Sequence, residues 1–261
     1  MADIINLLRS VIEALSFDFD VKFPLSLVIS RKAITRYQLV FRFLLMLKYL
    51  ESLLTSMWME HSQPLWRRRL EAPDMERWKR RIYNLRAQML QWVQQMLTFT
   101  TQDVLEANWK KLEAKLGNVQ TVDQLIQDHV DYLDVCLKEC MLTTDRMLPV
   151  CLLWSIQKLD VGADTIHLQP LMKTIGTVLQ FAQYQPSLNR TMQKYTADSR
   201  AESDVSKINA RWNVLEKFES HFTHNVVVSP SISPRALNYG ADLNAAFRRN
   251  MIPCRSKYRM L

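Results

Sequence analysis

Apolar residues recur along most of this chain at the three- and four-residue spacing of a single helix face. Ile4, Ile5, Leu7, Leu8, Val11, Ile12 and Leu15 follow that spacing and predict a short amphipathic helix over 3–15. The rhythm then changes, because Phe17, Phe19, Val21 and Phe23 alternate with Asp18, Asp20 and Lys22. Alternation predicts an extended segment with one buried face, and Pro24 reinforces this by disfavouring helical geometry at Phe23. Helical spacing resumes after Ser30, whose hydroxyl can accept an amide hydrogen bond from a first helical turn. The helix it opens is expected to run to about His61, with Ile34, Tyr37, Phe41, Leu44, Leu45, Lys48 and Leu53 along its buried side.

Pro64 and Pro73 make 62–74 an expected irregular connection. A second long tract is predicted over 75–116, with Ile82, Leu85, Met89, Trp92, Val93, Met96, Phe99, Val104, Leu105, Trp109, Leu112 and Leu116 as its core side. Gly117 and Asn118 should stop it, since either accepts the left-handed backbone found after helices. Thr121 then opens a helix through Met141 with a weak capping pattern, and Asp145, with Pro149 close behind, opens another to about Asp160. Helical spacing returns over 165–227, interrupted by Pro170, by Pro186 and by a polar stretch at 196–206 read as a loop or insertion. Two prolines at 230 and 234 precede a last expected helix over 235–249 and a basic, poorly ordered tail over 251–261. The expected fold class is all-α, an elongated stack of helical bundles with a short extended segment near 17–29. One domain is expected over 1–250, divisible into sub-bundles 1–142 and 143–250.

Composition agrees with helix. The 261 residues include 48% hydrophobic positions, enough for a sizeable core, but only four glycines. So little glycine argues against sheets, dinucleotide-binding turns and phosphate loops, all of which need its backbone freedom. The net charge of +8 and a pI near 9.4 favour acidic partners. Asp3 and Arg9 interrupt the first apolar residues, so no secretory leader is read. Cys136, Cys140, Cys151 and Cys254 are then expected as reduced cytoplasmic thiols. The most apolar run, 41–58, carries Arg42, Lys48 and Glu51 and does not read as a membrane span.

Candidate chemistry is sparse. Cys136 and Cys140 share a helix face with His129 seven residues earlier, but no second Cys or His pair has zinc spacing, and buried thiols are the simpler reading. His221 and His224 lack any metalloprotease pattern, and Asp131 and Asp134 read as the wet side of a helix. No catalytic, metal-binding or cofactor-binding residue is assigned, and no cofactor is expected. Basic residues interleave with tryptophans in Trp66-Arg-Arg-Arg and Arg77-Trp-Lys-Arg-Arg, and a second basic cluster lies at 248–259. Clusters 66–81 and 248–259 allow an alternative reading as a nucleic-acid-binding module, with arginines on phosphates and rings stacked on bases.

Three ordered blocks bear a resemblance. The first is Pro24-Leu-Ser-Leu-Val-Ile-Ser-Arg-Lys-Ala-Ile-Thr-Arg-Tyr-Gln-Leu-Val-Phe-Arg, followed by Lys48 and Glu51. The second is Asp103-Val-Leu-Glu with Trp109, and the third is His129-Val-Asp-Tyr-Leu-Asp followed by Cys136-Leu-Lys-Glu-Cys-Met-Leu. Together they resemble the C-terminal region of the gamma-tubulin complex proteins, above all the family's component 2 branch. Near the C-terminus, 241–247 keeps the acid Asp242 and Asn244 of a family motif but lacks its first aromatic residue.

The resemblance implies an all-helical domain that binds gamma-tubulin and holds it in a template from which microtubules grow. It also implies that a family N-terminal domain is missing, so the chain is expected to be a C-terminal piece. The implied partners are gamma-tubulin, other complex components through that N-terminal part, and microtubules indirectly, with neither nucleic acid nor membrane. Expected localisation is the cytoplasm at a microtubule organizing center, a centrosome or spindle pole body. Arg31, Lys32, Arg36, Asn244 and Arg248 are the expected gamma-tubulin-facing residues, while Leu27, Ile29, Ile34, Tyr37 and Phe41 are expected to pack.

Overall fold

The computed structural model describes residues 15, 17–70, 73–142, 168–197 and 205–228. The helices expected over 3–15, 145–160 and 235–249 and the basic tail lie outside these residues. All regular structure among the described residues is helical, as the low glycine content implied.

Helix α1 spans Arg31–His61. Ser30 caps it, extended at φ −74° and ψ 164°, its hydroxyl accepting from the Ala33 amide at 3.4 Å. The buried side of α1 carries Ala33, Val40, Phe43, Leu47, Leu50, Leu54 and Met57. Of the predicted stripe only Ile34 is fully buried; Tyr37 and Lys48 are exposed, Leu44 and Leu53 flank the core, and Phe41 and Leu45 are half-buried. The true stripe is rotated toward the residues next to those chosen, because α1 has neighbours on several sides and many of its apolar residues are half-covered.

The 62–74 connection is not irregular throughout. Pro64 opens a short helix α2 at Pro64–Arg67, where its missing N–H costs nothing, and α2 drives Trp66 into the core at 1% exposure. Pro73 is the first residue of α3, Pro73–Thr98, whose first turn carries Asp74 and Glu76 at the positive end of the helix dipole. A π-helical segment, Phe99–Glu106, leads without a break into α4, Ala107–Leu116. The long tract is therefore continuous as read, although Trp109 and Leu116 are exposed. It stops at Gly117 as expected but by a different route, since Gly117 keeps right-handed backbone at φ −61°. Helix α5, Val122–Glu139, is capped by the Thr121 hydroxyl accepting from the Gln124 amide at 3.3 Å.

Helices α6, Leu168–Ala197, and α7, Val205–Val228, complete the described chain. Pro186 was expected to interrupt α6 but lies inside it. A proline there forfeits one backbone hydrogen bond and costs about 3 kcal/mol. Burial of Phe181, Ala182, Leu188 and Met192 on either side outweighs that cost. The polar stretch at 196–206 likewise begins within α6 and ends within α7.

Helix α1 packs against α3, α5 and α6; α3 meets α7, and α7 pairs with α6, so α1, α3, α7 and α6 close a four-helix ring. At the other end α4 and α5 form a hairpin against the first part of α1. One apolar core runs through both, from Val40 and Phe43 to Leu171, Leu215 and Phe222.

Where α1 ends, its packing becomes directional. His61 Nε2 lies 3.1 Å from Gln185 Oε1, and Gln185 Nε2 donates to Glu60 at 3.1 Å. Asn189 also donates to Glu60 at 2.6 Å while accepting from Trp66 Nε1 at 2.7 Å. Because the Gln185 amide nitrogen is committed to Glu60, its oxygen faces His61, which assigns the imidazole proton to Nε2. His61 Nδ1 is buried without a partner, so protonating it would bury a second, unpaired donor. Burial, opposed by the Gln185 hydrogen bond and aided by the Arg86 charge, pushes the His61 value down to about 4 from 6.5.

The neutral His61 ring thus stabilises the fold above pH 6.5, and that contribution is lost as pH falls toward 4. Its full size is roughly 3 kcal/mol. His61→Gln should flatten this part of the melting-temperature profile, and identical profiles for the two proteins between those pH values would contradict the assignment. In the apolar part of the same helix, Leu50→Ala should cost about 2–5 kcal/mol in urea unfolding.

Candidate functional site

The corner that joins residues 17–30 to α1 gathers five exposed apolar side chains in one short segment. Phe17, Phe19, Phe23, Leu25 and Leu27 are between 52% and 78% exposed. The alternation of 17–23 predicted one buried face, and Leu27 was expected to pack; neither holds. With no second strand among the described residues to pair with, the segment lies on α1 as irregular backbone and a 3-10 turn at Leu25–Leu27. It is fastened at few points: Gln38 Nε2 donates to the Phe17 carbonyl at 2.8 Å, and the Phe17 ring meets Phe41 edge-on at 4.7 Å. Sequence reading missed this surface, yet it contained a usable signal, since a glycine-poor helical chain offers an isolated alternating segment no sheet in which to bury its apolar side.

Beside these apolar groups stand the three predicted basic residues, in three different states. Lys32 is exposed and makes no ion pair or hydrogen bond among the described residues. Arg31 reaches Asp18 at 2.6 Å with both side chains mostly in water, and its guanidinium and the Phe19 amide hold the Asp18 carboxyl below its ordinary range. Arg36 is half-buried and pairs with Asp134 of α5 at 3.1 Å, so its charge is used within the fold. Asn244 and Arg248 lie outside the described residues.

Behind the corner, Tyr37, expected to pack, is instead 40% exposed, and its hydroxyl lies 2.9 Å from His129 Nε2 on α5. Burial holds His129 below the ordinary imidazole value, the Val28 carbonyl opposing and the Arg36 charge adding to it. Its Nδ1 has no partner of ordinary hydrogen-bond geometry. Tyr37 is raised by its own burial and, secondarily, by Cys136. Contacts at Arg36 and Tyr37 therefore lock the first turns of α1 to α5 and leave Arg31 and Lys32 pointing away from the lock.

The remaining candidates resolve into structure. Cys136 and Cys140 are buried free thiols, both raised by burial, Cys140 to about 12. Among the described residues no group of three or more His, Cys, Asp or Glu side chains is placed to hold a metal ion. His221 and His224 are exposed, and Asp131 accepts from Gln127 on the wet side of α5. Trp66 and Trp78, which would stack on bases in a nucleic-acid reading, are 1% and 2% exposed and belong to the core. No described helix is long and apolar enough to cross a membrane.

The sequence profile described as Gamma tubulin complex component C-terminal matches residues 3–230. The chain belongs to that family. Among gamma-tubulin complex relatives, the spindle pole body component alp4 of Schizosaccharomyces pombe is 36% identical over 216 residues, which cover 82% of this chain and 25% of alp4. Gamma-tubulin complex component 2 of Mus musculus is 38% identical over 149 residues, 57% of this chain and 16% of that protein. Gamma-tubulin complex component 3 of Homo sapiens is 29% identical over 135 residues, 51% of this chain and 15% of that protein. The chain thus spans about a quarter or less of each of these relatives.

The lock behind the corner is open to a direct test. Tyr37→Phe leaves His129 Nε2 without its hydroxyl partner and should lower stability by about 1–2 kcal/mol in urea titration. An unchanged midpoint would show that this hydrogen bond does not hold α1 to α5.

Proposed function

We propose that this chain is the gamma-tubulin-binding part of a gamma-tubulin complex component and that the α1 corner contributes to the contact. Membership of the family supports the partner, and the exposure of Lys32 and Arg31 next to five apolar side chains supports the place. Protein interfaces commonly combine an apolar centre with arginine at its edge. An exposed ion pair such as Arg31–Asp18 contributes only about 0–1 kcal/mol, so Arg31 can be redirected to a partner carboxylate at little loss. Arg36 supports the corner through Asp134 rather than reaching outward. Asn244, within the family motif, and Arg248, directly after it, remain part of the proposal on the strength of the sequence resemblance alone.

In this reading the domain acts without making or breaking a covalent bond. It holds gamma-tubulin in a fixed arrangement, so that the entropy of assembling a lattice-like nucleus is met before polymerisation begins. Its other partners are further complex components, and microtubules indirectly at their minus ends. It works in the cytoplasm at a microtubule organizing center, as the names of its spindle pole body relatives suggest.

Pull-down or co-sedimentation with purified gamma-tubulin tests both parts. The chain should bind, and Arg31→Glu with Lys32→Glu should weaken binding by about tenfold or more, the loss of two charge pairs plus repulsion. A folded chain that fails to bind at micromolar concentration would contradict the partner. A double variant that binds as well as the parent would contradict the corner.

A further inference from the structure

We propose that Arg67-Arg68-Arg69, at the end of α2 and just beyond it, is a preorganised docking surface for an acidic polypeptide segment. It lies beyond the far end of α1, whose 31 residues put it about 45 Å from the corner discussed above. The proposal does not rest on the gamma-tubulin reading.

The backbone is held from below at three alternate residues, one on either side of the triad and one at its centre. The Tyr83 hydroxyl donates to the Trp66 carbonyl at 3.1 Å, and Lys79 Nζ donates to the Arg68 carbonyl at 3.1 Å. The Leu70 amide donates to Glu76 at 3.4 Å. Lys79 is itself buried and paired with Glu76 at 2.7 Å, an arrangement that places a charged side chain in the interior to hold a surface loop. Trp66 anchors the loop's other end in the core. These bonds fix the backbone at 66, 68 and 70 without a ligand, which lowers the entropic cost of binding.

Above this support the three arginines are exposed, and none has an ion pair or side-chain hydrogen bond among the described residues. The acids close by are already engaged: Asp74 with Arg77, Glu76 with Lys79 and Arg80, and Glu219 with Arg81 in a two-point contact. Glu71 lies outside the described residues. Guanidinium forks match carboxylates in two-point geometry.

The chemistry around the loop selects among anionic partners. Single-stranded nucleic acid needs exposed rings for stacking, and the two tryptophans interleaved with these arginines are buried. A membrane surface needs an apolar face to insert, and the flanking Leu65 and Leu70 are packed against the core. Nowhere in this sequence are two acidic residues adjacent, so an acidic run that fills the site comes from outside these 261 residues.

A fluorescent oligoglutamate peptide titrated against the full chain provides the test. Arg67→Gln, Arg68→Gln and Arg69→Gln together should weaken binding about tenfold, the sum of three exposed charge pairs. Lys110→Gln with Lys138→Gln, exposed on the α4–α5 hairpin at the opposite end, should leave it unchanged, and added salt should weaken the parent interaction. Helical content and melting temperature report that the triple variant is folded. Equal affinity for the parent and the triple variant overturns the proposal, as does equal loss in the hairpin variant. Tighter binding of a single-stranded oligonucleotide or of phosphatidylserine vesicles than of the peptide overturns the assignment to polypeptide.

Discussion

Leu47, Leu50 and Leu54 lie in the middle of α1 with no surface left to water, on a helix that α3, α5 and α6 all pack against. Burial of each such side chain contributes about 1.5–3 kcal/mol. The two helical assemblies of this chain, the ring at one end and the hairpin-backed bundle at the other, share α1 and therefore share this apolar spine. Features at either end of α1 are fixed relative to each other only as long as the spine stays packed.

Apolar burial sets the strength of the packing but says little about register, since it has no direction. Register comes from the polar contacts at the two ends. At the N-terminal end Arg36 and Tyr37 tie α1 to α5 through Asp134 and His129. At the C-terminal end His61 and Glu60 tie it to α6 through Gln185 and Asn189. Each tie leaves an outward-facing group of cations beside it: Arg31 and Lys32 at one end, Arg67 to Arg69 at the other. The fold thus presents two basic surfaces on a single rigid rod, well beyond the roughly 8–10 Å over which salt leaves exposed charges in communication.

Much of this was legible in the sequence, and the misses share a physical cause. Ser30 and Thr121 were identifiable as caps because a cap is a local bond between residues three apart. The long tracts were identifiable because their apolar spacing persists over many turns. What could not be read locally was anything decided by a neighbour distant in sequence. Pro186 stays helical because the residues around it are buried in the α1 and α7 contacts. Trp66 is core because α2 folds under α6, and Phe17, Phe19 and Phe23 are exposed because no strand among the described residues pairs with their segment. Within the candidate site, Arg31 and Lys32 remained outward while Arg36 turned inward, a distinction that depends on Asp134, almost a hundred residues away. The family resemblance was readable from three ordered motifs, and the profile match over 3–230 bears it out.

Amide hydrogen exchange, compared between the chain alone and the chain saturated with gamma-tubulin, tests the central claim most directly. The account predicts new protection across 17–37, with the buried middle of α1 slow in both states and 66–70 unchanged. Protection confined to other surfaces, with 17–37 exchanging as fast as in the free chain, would contradict it.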